Sequence, residues 1–423
     1  MQERQGYAQE RLAILVGGGP APGINSVIAS AAIEAINCGL RVIGIVDGYK
    51  WLAEGDTTHF VELKIENVSR IHFSGGSILR TSRTNPARDE SSLEHTVKAL
   101  ERLDVSYLVC IGGDDTTYGA ARIAERTRGK ISVATVPKTI DNDLSLPENA
   151  PTFGFETARS VGAAIIESLM EDARTTGRWY LAISMGRKSG SLALSMCKSV
   201  GATLAVIPEE FRSERLDLSL VVDTIVGSII KRRANGRDDG VAIIAEGIAE
   251  YADPESLTTA PGAAVDAYGH AHIADIPLGM LLRDRVRAAT AELGLDATVV
   301  SKDIGYELRS AKPVPFDVEY TRTLGYGAVR YLLNGGSGAL IAIAGGRVTP
   351  VDFATLLDPK TGRIRVRTVD ISTESYEVAR SYMIRLELRD LGGPSLARLA
   401  AVTNLSPEQF RTRFLPAVQA SSH

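Results

Sequence analysis

The chain has 423 residues, a formal net charge of −4 at pH 7 and an apolar fraction of 44%. This length suits two globular domains with well-formed cores, and the missing positive charge predicts no nucleic-acid partner. The polar start, Met1 to Arg11, does not look like a signal peptide, and no apolar run approaches transmembrane length. We therefore expect a cytoplasmic protein without membrane contact. Its three cysteines, Cys38, Cys110 and Cys197, lie in apolar segments and predict buried free thiols.

The first motif is a glycine-rich loop between a strand and a helix. Leu12 to Val16 predicts the strand, Gly17 to Gly23 the loop, and Ile24 to Asn37 the helix. Glycines let backbone amides approach an anion closely, and a helix start adds partial positive charge. The pattern indicates a phosphate cradle. A plain tight turn is the alternative, because neither the Walker nor the dinucleotide glycine spacing is present.

A second polar loop, Gly75 to Arg83, follows the next strand, Arg41 to Val46. Arginine presents a fork of donors that suits phosphate oxygens, so Arg83 is a candidate phosphate contact. The alternative is an ordinary surface arginine.

The centre of the sequence predicts two parallel strands, each followed by an acidic turn. Tyr107 to Ile111 and Ile131 to Val136 read as buried strands, and Thr116 to Arg128 between them reads as a helix. In a right-handed crossover both turns emerge at the same edge of the sheet, where ligands of such sheets bind. The charged side chains brought together would be Asp114, Asp115, Lys138, Asp141 and Asp143. Carboxylates this dense repel each other unless a cation joins them, and Mg²⁺ carrying phosphate is the simplest cause.

The same pattern of apolar run and charged or glycine turn recurs further along the chain. The later predicted strands are Tyr180 to Met185, Thr203 to Ile207, Val241 to Ala245 and Ala339 to Ala344, while the less regular stretch Thr298 to Ile304 leads into Gly305 to Ser310. The repetition predicts an α/β fold, with two similar Rossmann-like domains whose mainly parallel sheets face a cleft. From about Asp370 the pattern is helical and carries no motif.

Together these turns contain the parts of a phosphoryl-transfer site. Asp114 would carry the metal, and Asp141 would take the proton from the attacking hydroxyl. Arginines at 178, 187 and 309 are candidates to hold a second phosphate on the acceptor, and Glu246 to accept hydrogen bonds from sugar hydroxyls. For any single acidic turn, a helix cap is the alternative. None of the six histidines lies in these turns, which favours direct transfer over a phosphohistidine intermediate.

From about Leu12 to Leu333 the chain resembles the phosphofructokinase family. The segments that carry the resemblance are Gly17 to Asn25, Gly112 to Thr116, Pro137 to Asp143, Met185 to Arg187, Glu246 and Tyr306 to Arg309. There are departures: Pro20 replaces an aspartate common in the family, and Tyr306 stands where many bacterial members have histidine. No arginine lies shortly before Tyr306, where those members have a second interface arginine, and Lys302 is the nearest cation.

The resemblance implies a role for each matching residue. Asp141 would be the general base toward the sugar 1-hydroxyl, and Asp114 the Mg²⁺ residue. The donor contacts would be Gly19, Arg83, Asp115 and Thr116. The sugar-phosphate contacts would be Thr139, Ile140, Asp141, Met185, Gly186, Arg187, Glu246, Tyr306 and Arg309. Arg178 matches an arginine that many members contribute across a subunit interface, which implies a homodimer or homotetramer.

The implied domains are a donor domain at 1–155, completed by about 310–360, and a sugar-phosphate domain at 156–309. A C-terminal helical extension would cover 361–423. The expected substrates are fructose 6-phosphate and a phosphoryl donor, with a related acceptor such as sedoheptulose 7-phosphate left open.

Asp115 and Lys138 bear on the donor, since ATP-using relatives commonly carry glycine at the first position. A carboxylate there adds bulk and a negative charge near the α-phosphate, worth roughly 4 kcal/mol at about 4 Å and an intermediate dielectric. Lys138 would neutralise the leaving phosphate. The pair looks like the pyrophosphate-dependent branch and places Asp115 and Lys138 among the catalytic residues. The alternatives are an ATP-dependent enzyme and a non-catalytic sugar-phosphate sensor on the same fold.

Overall fold

A computed structural model of the chain describes residues 10–211, 215–253, 256–257, 277–356 and 366–421. The chain divides into two compact units, each built from two stretches of sequence. Unit 1 comprises Met1–Ala158 and Tyr306–Arg367, and unit 2 comprises Arg159–Gly305 and Thr368–His423.

Unit 1 contains a seven-stranded sheet in the order β11-β10-β5-β4-β1-β2-β3. Its strands are β1 Arg11–Val16, β2 Arg41–Ile45, β3 Phe60–Glu62, β4 Val105–Gly112, β5 Ser132–Pro137, β10 Ala339–Ala344 and β11 Arg347–Asp352. The inner strands run parallel, while β3 and β11 pair antiparallel at the two edges. The central strands are buried on both faces, which explains their unbroken apolar sequences. Both antiparallel edge strands are absent from the sequence prediction, because they are largely exposed and not apolar runs.

Helices cover both faces of this sheet. Ile24–Asn37 and Pro315–Leu333 contribute to the core on one face, and Glu90–Arg102 and Asp114–Thr127 to the core on the other. Shorter helices of unit 1 are Lys50–Ala53, Ile65–Val68, Tyr306–Arg309 and Phe353–Leu356. The helix Phe155–Thr176 carries the chain from unit 1 into unit 2.

Unit 2 contains a four-stranded, fully parallel sheet in the order β7-β8-β6-β9. Its strands are β6 Trp179–Ser184, β7 Leu204–Val206, β8 Gly240–Ala245 and β9 Val299–Ile304. The helices described in this unit, besides the end of Phe155–Thr176, are Ser191–Val200, Leu218–Arg233, Ile248–Tyr251, Leu278–Glu292, Glu374–Tyr382, Gly393–Ala400 and Pro407–Ala420. The α/β class and the mainly parallel sheets are therefore confirmed.

The C-terminal stretch is helical as predicted, but it is grouped with unit 2 instead of forming a separate extension. Arg385 and Glu210 explain why, because their side chains are almost fully buried and form an ion pair at 2.8 Å. The Tyr376 hydroxyl donates to the other Glu210 oxygen at 2.8 Å. A buried charge is tolerated only when it is paired, so these contacts fix the tail against the strand end after β7.

The cysteine prediction is confirmed at two of three positions. Cys110 and Cys197 are buried free thiols, and burial raises the pKa of each to about 12. Cys38 is only half-buried, at the end of a helix where Arg330 Nη1 lies 3.8 Å from its sulfur. Within the described residues, no helix combines the length and apolarity needed to cross a bilayer.

Candidate active site

Three strand ends of unit 1 meet at one edge of its sheet. The Gly17 amide, after β1, donates to the Ile111 carbonyl of β4 at 2.9 Å. The Lys138 amide, after β5, donates to the Gly112 carbonyl at 2.9 Å. The glycine loop and the two acidic turns are therefore neighbours, as the sequence predicted from the crossover rule.

Thr116 fills the corner between the first two turns. It is 5% exposed, and a methyl group added at either Gly17 or Gly112 would lie 2.3 Å from its hydroxyl oxygen. No side chain fits at that distance, so both positions require glycine. The predicted donor residue Thr116 thus sets the spacing of the glycine loop against the helix Asp114–Thr127.

Two cations converge on Gly19 in the glycine loop. The Lys138 ammonium donates to the Gly19 carbonyl oxygen. The Arg309 guanidinium also lies close, because a methyl group added at Gly19 would be 2.2 Å from its Nη2. Such clustered donors favour an anion at this edge of the sheet.

The placement of Arg309 corrects the predicted domain boundary. Tyr306–Arg309 belongs to unit 1, not to the second domain as predicted, since the short helix that carries it follows the crossing of the chain at Gly305. Tyr306 is 79% exposed, and the Arg309 guanidinium stands 5.4 Å from the centre of its ring. Arg309, which was predicted to contact the acceptor phosphate, therefore lies beside Gly19, which was predicted to contact the donor.

The loop that carries Arg83 is held against the glycine loop by backbone and side-chain contacts. The Gly18 amide donates to the Ser82 carbonyl at 2.8 Å, and the Thr81 hydroxyl donates to the Gly18 carbonyl at 2.6 Å. Asn25 accepts from the Ile78 amide at 2.9 Å and fixes the same loop further along. The Arg83 side chain is exposed next to these contacts.

Asp114 and Asp115 occupy the first turn of the helix Asp114–Thr127, and Gly113 is its N-cap. The helix begins two residues earlier than predicted, so neither aspartate is the cap that the alternative interpretation required. Because Gly113 has no side chain to act as a cap, the first-turn amides suit an anionic ligand. Asp115 is exposed. In water the repulsion between its carboxylate and a phosphate at about 4 Å is only about 1 kcal/mol. The repulsion of roughly 4 kcal/mol expected from the sequence applies only once a bound ligand excludes water.

The second acidic turn is buried and internally braced. The Thr139 hydroxyl accepts from the Asp141 amide at 3.1 Å, and the Thr152 hydroxyl donates to the Thr139 carbonyl at 2.8 Å. Asn142 adopts a left-handed backbone with φ 56°, and its side-chain oxygen accepts from the Thr152 amide at 3.1 Å. The buried residues of this turn are Lys138, Thr139, Ile140, Asp141 and Asp143.

Sequence reasoning missed three residues that hold this region. Thr152 braces the turn as described, and Arg367 contacts its backbone. Asp317 is fully buried and accepts from the Gly154 and Thr157 amides at 2.8 and 2.7 Å, which anchors the start of the helix Phe155–Thr176. Burial raises the pKa of the Asp317 carboxyl, although these hydrogen bonds oppose the shift. None of the three stands in a motif, and Arg367 and Asp317 contact residues 225 and 163 positions away in the sequence.

In unit 2 the turn after β6 is organised by Glu246, which follows β8. One Glu246 carboxylate oxygen accepts from the Gly186 amide at 3.0 Å and from the Arg187 amide at 2.8 Å. The Met185 amide donates to the Ile304 carbonyl at 3.0 Å. Four predicted sugar-phosphate residues, Met185, Gly186, Arg187 and Glu246, are thus brought together. Glu246 therefore also has a structural role. Arg187 has a left-handed φ of 50°, and the hydrogen bond from its amide to Glu246 supports that conformation.

Arg178 stands apart from this cluster within unit 2. It precedes β6, while Met185 follows it, so the strand separates them by roughly 23 Å at about 3.3 Å per residue. Its Nε lies 3.9 Å from an Asp172 carboxylate oxygen, and the side chain is 36% exposed. The unit therefore does not bring Arg178 to the turn of its own strand.

The described residues contain no group of three acidic, histidine or cysteine side chains arranged as a metal cage. Mg²⁺ does not require one, because it commonly binds through one or two carboxylates, water and substrate phosphates. Asp114 is half-buried in the first turn of the helix Asp114–Thr127 and suits that mode.

Comparison with known proteins identifies the relatives of this chain. The phosphofructokinase family profile matches residues 11–332. The pyrophosphate--fructose 6-phosphate 1-phosphotransferase of Thermotoga maritima is 55% identical over 96% of this chain and 98% of its own length. The enzyme of the same name from Naegleria fowleri is 48% identical, with 96% of each chain covered. An ATP-dependent 6-phosphofructokinase of Thermotoga neapolitana is 29% identical over 88% of this chain.

Solved structures agree in fold. The pyrophosphate-dependent phosphofructokinase from Nitrosospira multiformis superposes with a TM-score of 0.67 at 16% identity, covering 88% of this chain and 90% of that one. The phosphofructokinase from Saccharomyces cerevisiae gives 0.64 at 19% identity, covering 97% of this chain and 48% of its own. With the family profile spanning most of the sequence and near full-length relatives at high identity, this chain belongs to the phosphofructokinase family.

Proposed function

We propose that this chain transfers a phosphoryl group from pyrophosphate to the 1-hydroxyl of fructose 6-phosphate, forming fructose 1,6-bisphosphate and phosphate. The relatives at 55% and 48% identity carry the name of this activity over nearly their whole length. We expect the reaction to be close to reversible. It serves sugar-phosphate breakdown or its reversal in the cytoplasm.

The placement of Asp115 and Lys138 is the observation that supports pyrophosphate over ATP as the donor. Asp115 projects from the first helical turn, where bulk and negative charge disfavour a third phosphate and its nucleoside. Lys138 is 5% exposed and reaches the Gly19 carbonyl of the donor loop. A buried ammonium next to the donor loop neutralises charge on the phosphate that leaves. Pyrophosphate has only two phosphates, so it can contact the Lys138 ammonium without approaching the Asp115 carboxylate.

The remaining roles follow the family resemblance and the geometry of each unit. Asp141 accepts the proton of the sugar 1-hydroxyl, held by the braced turn between Thr139 and Thr152. Gly19, Arg83 and Thr116 serve the donor phosphates. The sugar phosphate is bound by Thr139, Ile140, Met185, Gly186, Arg187, Glu246, Tyr306 and Arg309. Asp114 would hold Mg²⁺, which would neutralise charge on the pyrophosphate oxygens when bound.

We predict that the purified wild-type protein uses pyrophosphate and uses ATP poorly or not at all. The measurement is fructose 1,6-bisphosphate formation with each donor alone, under saturating fructose 6-phosphate and Mg²⁺. Asp115→Gly should allow some use of ATP, because it removes the bulk and the negative charge of the carboxylate. The double variant Asp115→Gly with Lys138→Gly should use ATP better, because it also removes the lysine side chain. Asp296→Gly, at an exposed position in unit 2, is the matched control. Efficient use of ATP with no use of pyrophosphate by the wild type would overturn the proposed donor.

The second prediction concerns the base. Asp141→Asn preserves the shape of the side chain but removes the proton acceptor, so kcat should fall by about 10²-fold or more. Binding of fructose 6-phosphate, measured by calorimetry, should persist. Near-normal turnover in a folded Asp141→Asn variant would remove Asp141 from this role.

The third prediction concerns Arg309. Loss of a charge-assisted hydrogen bond costs roughly 1.5–3 kcal/mol, so Arg309→Met should raise the KM for fructose 6-phosphate about tenfold or more. Arg322→Met, an exposed arginine of the same unit, should leave both constants unchanged. Because Arg309 lies against Gly19, a rise confined to the pyrophosphate KM would assign it to the donor instead.

The fourth prediction concerns assembly. Arg178 lies at the far end of β6 from the Met185–Arg187 turn, which suits a residue that serves another subunit. We expect light scattering to show a homodimer or homotetramer at the assay concentration. Arg178→Met should lower the activity without dissociating the oligomer. A fully active monomer would contradict this arrangement.

A further inference from the structure

The Asp141 turn has a backbone that needs external support. Asn142, Glu148 and Asn149 all have positive φ values, between 55° and 56°. Such conformations are uncommon for residues other than glycine and persist only where the surroundings hold them. The support matters for chemistry, because Asn142 directly follows the proposed base.

Arg367 supplies that support from a distant part of the sequence. Its Nε donates to the Asn142 carbonyl at 2.9 Å, and its Nη1 donates to the Ala150 carbonyl at 3.0 Å. Its Nη2 donates to the Asn142 side-chain oxygen. One guanidinium thus joins the two ends of the segment Asn142 to Ala150, which contains the left-handed residues and directly follows Asp141.

The backbone of the same residue adds to the clasp. The Arg367 amide donates to the Asp143 carbonyl at 2.7 Å, and its neighbour Val366 forms an antiparallel bridge with Leu144. The segment that follows Asp141 is therefore held by the Arg367 side chain at Asn142 and Ala150, and by main-chain contacts at Asp143 and Leu144.

The charge of Arg367 is maintained in a half-buried position. Burial lowers the pKa of the guanidinium, and the carboxylate of Asp143 acts in the opposite direction. A lysine at this position would keep the charge, but its single ammonium cannot reproduce a planar fork directed at three separate oxygens.

We propose that Arg367 is a positioning residue for Asp141, which it holds in place through Asn142 and Ala150 without touching substrate. This inference rests on the proposed phosphotransferase function and on the base role of Asp141. A displacement of about 1 Å at a reacting group can reduce the rate about 10²-fold, so the effect should appear in kcat.

The test compares Arg367→Met, Arg367→Lys and the control Arg347→Met, whose arginine is exposed on β11 of the same unit. Pyrophosphate-dependent kcat and both KM values are measured at a temperature below the melting transition of every variant. We expect kcat to fall about tenfold or more in Arg367→Met, with both KM values within about threefold of wild type. Arg367→Lys should recover thermal stability more than kcat, and Arg347→Met should behave as wild type.

Hydrogen exchange gives the second readout. In Arg367→Met, amides of residues 139–152 should exchange faster, with the sheets of both units unchanged. A folded Arg367→Met with kcat within twofold of wild type would overturn the proposal, as would a uniform rise in exchange with raised KM values. Failure of the wild type to transfer phosphate from pyrophosphate would instead remove the proposed function, while the exchange data would still report whether Arg367 holds the turn.

Discussion

The candidate site depends on strand β4, which pairs in parallel with β1 on one side and with β5 on the other. This pairing puts the Gly17 amide on Ile111 and the Lys138 amide on Gly112, so three turns share one edge of the sheet. Thr116 then fills the space between Gly17 and Gly112, which only glycine can leave open. A larger residue at either glycine would push the glycine loop away from the helix that carries Asp114 and Asp115.

Charges of both signs lie near this edge. Lys138 and Arg309 both approach Gly19, while Asp114 and Asp115 stand in the first turn of the neighbouring helix. Cations beside backbone donors suit phosphate, and carboxylates nearby suit the metal that accompanies it. The exposed Asp115 repels a phosphate strongly only when a bound ligand displaces water, so the donor selection proposed for it would operate in the bound state.

Much of this could be read from the sequence, because buried parallel strands are short apolar runs and their ends carry the chemistry. The helix Ile24–Asn37 and strand Ala339–Ala344 begin and end where the sequence predicts. The exposed edge strand Phe60–Glu62 has no such signal. The position of Arg309 and the grouping of the tail with unit 2 depend on long-range contacts, as does the clasp by Arg367 on Asn142. No local pattern encodes such contacts.

We propose that the edge of the unit 1 sheet binds pyrophosphate through the cation at Lys138. Calorimetric titration of magnesium pyrophosphate into the wild type, Lys138→Met and Lys130→Met tests it directly. Lys130 is exposed and pairs with Glu101, so its loss controls for net charge. We expect Lys138→Met to weaken binding at least about tenfold, because loss of a charge-assisted contact costs roughly 1.5–3 kcal/mol. Lys130→Met should match the wild type. Equal dissociation constants for wild type and a folded Lys138→Met would contradict the claim.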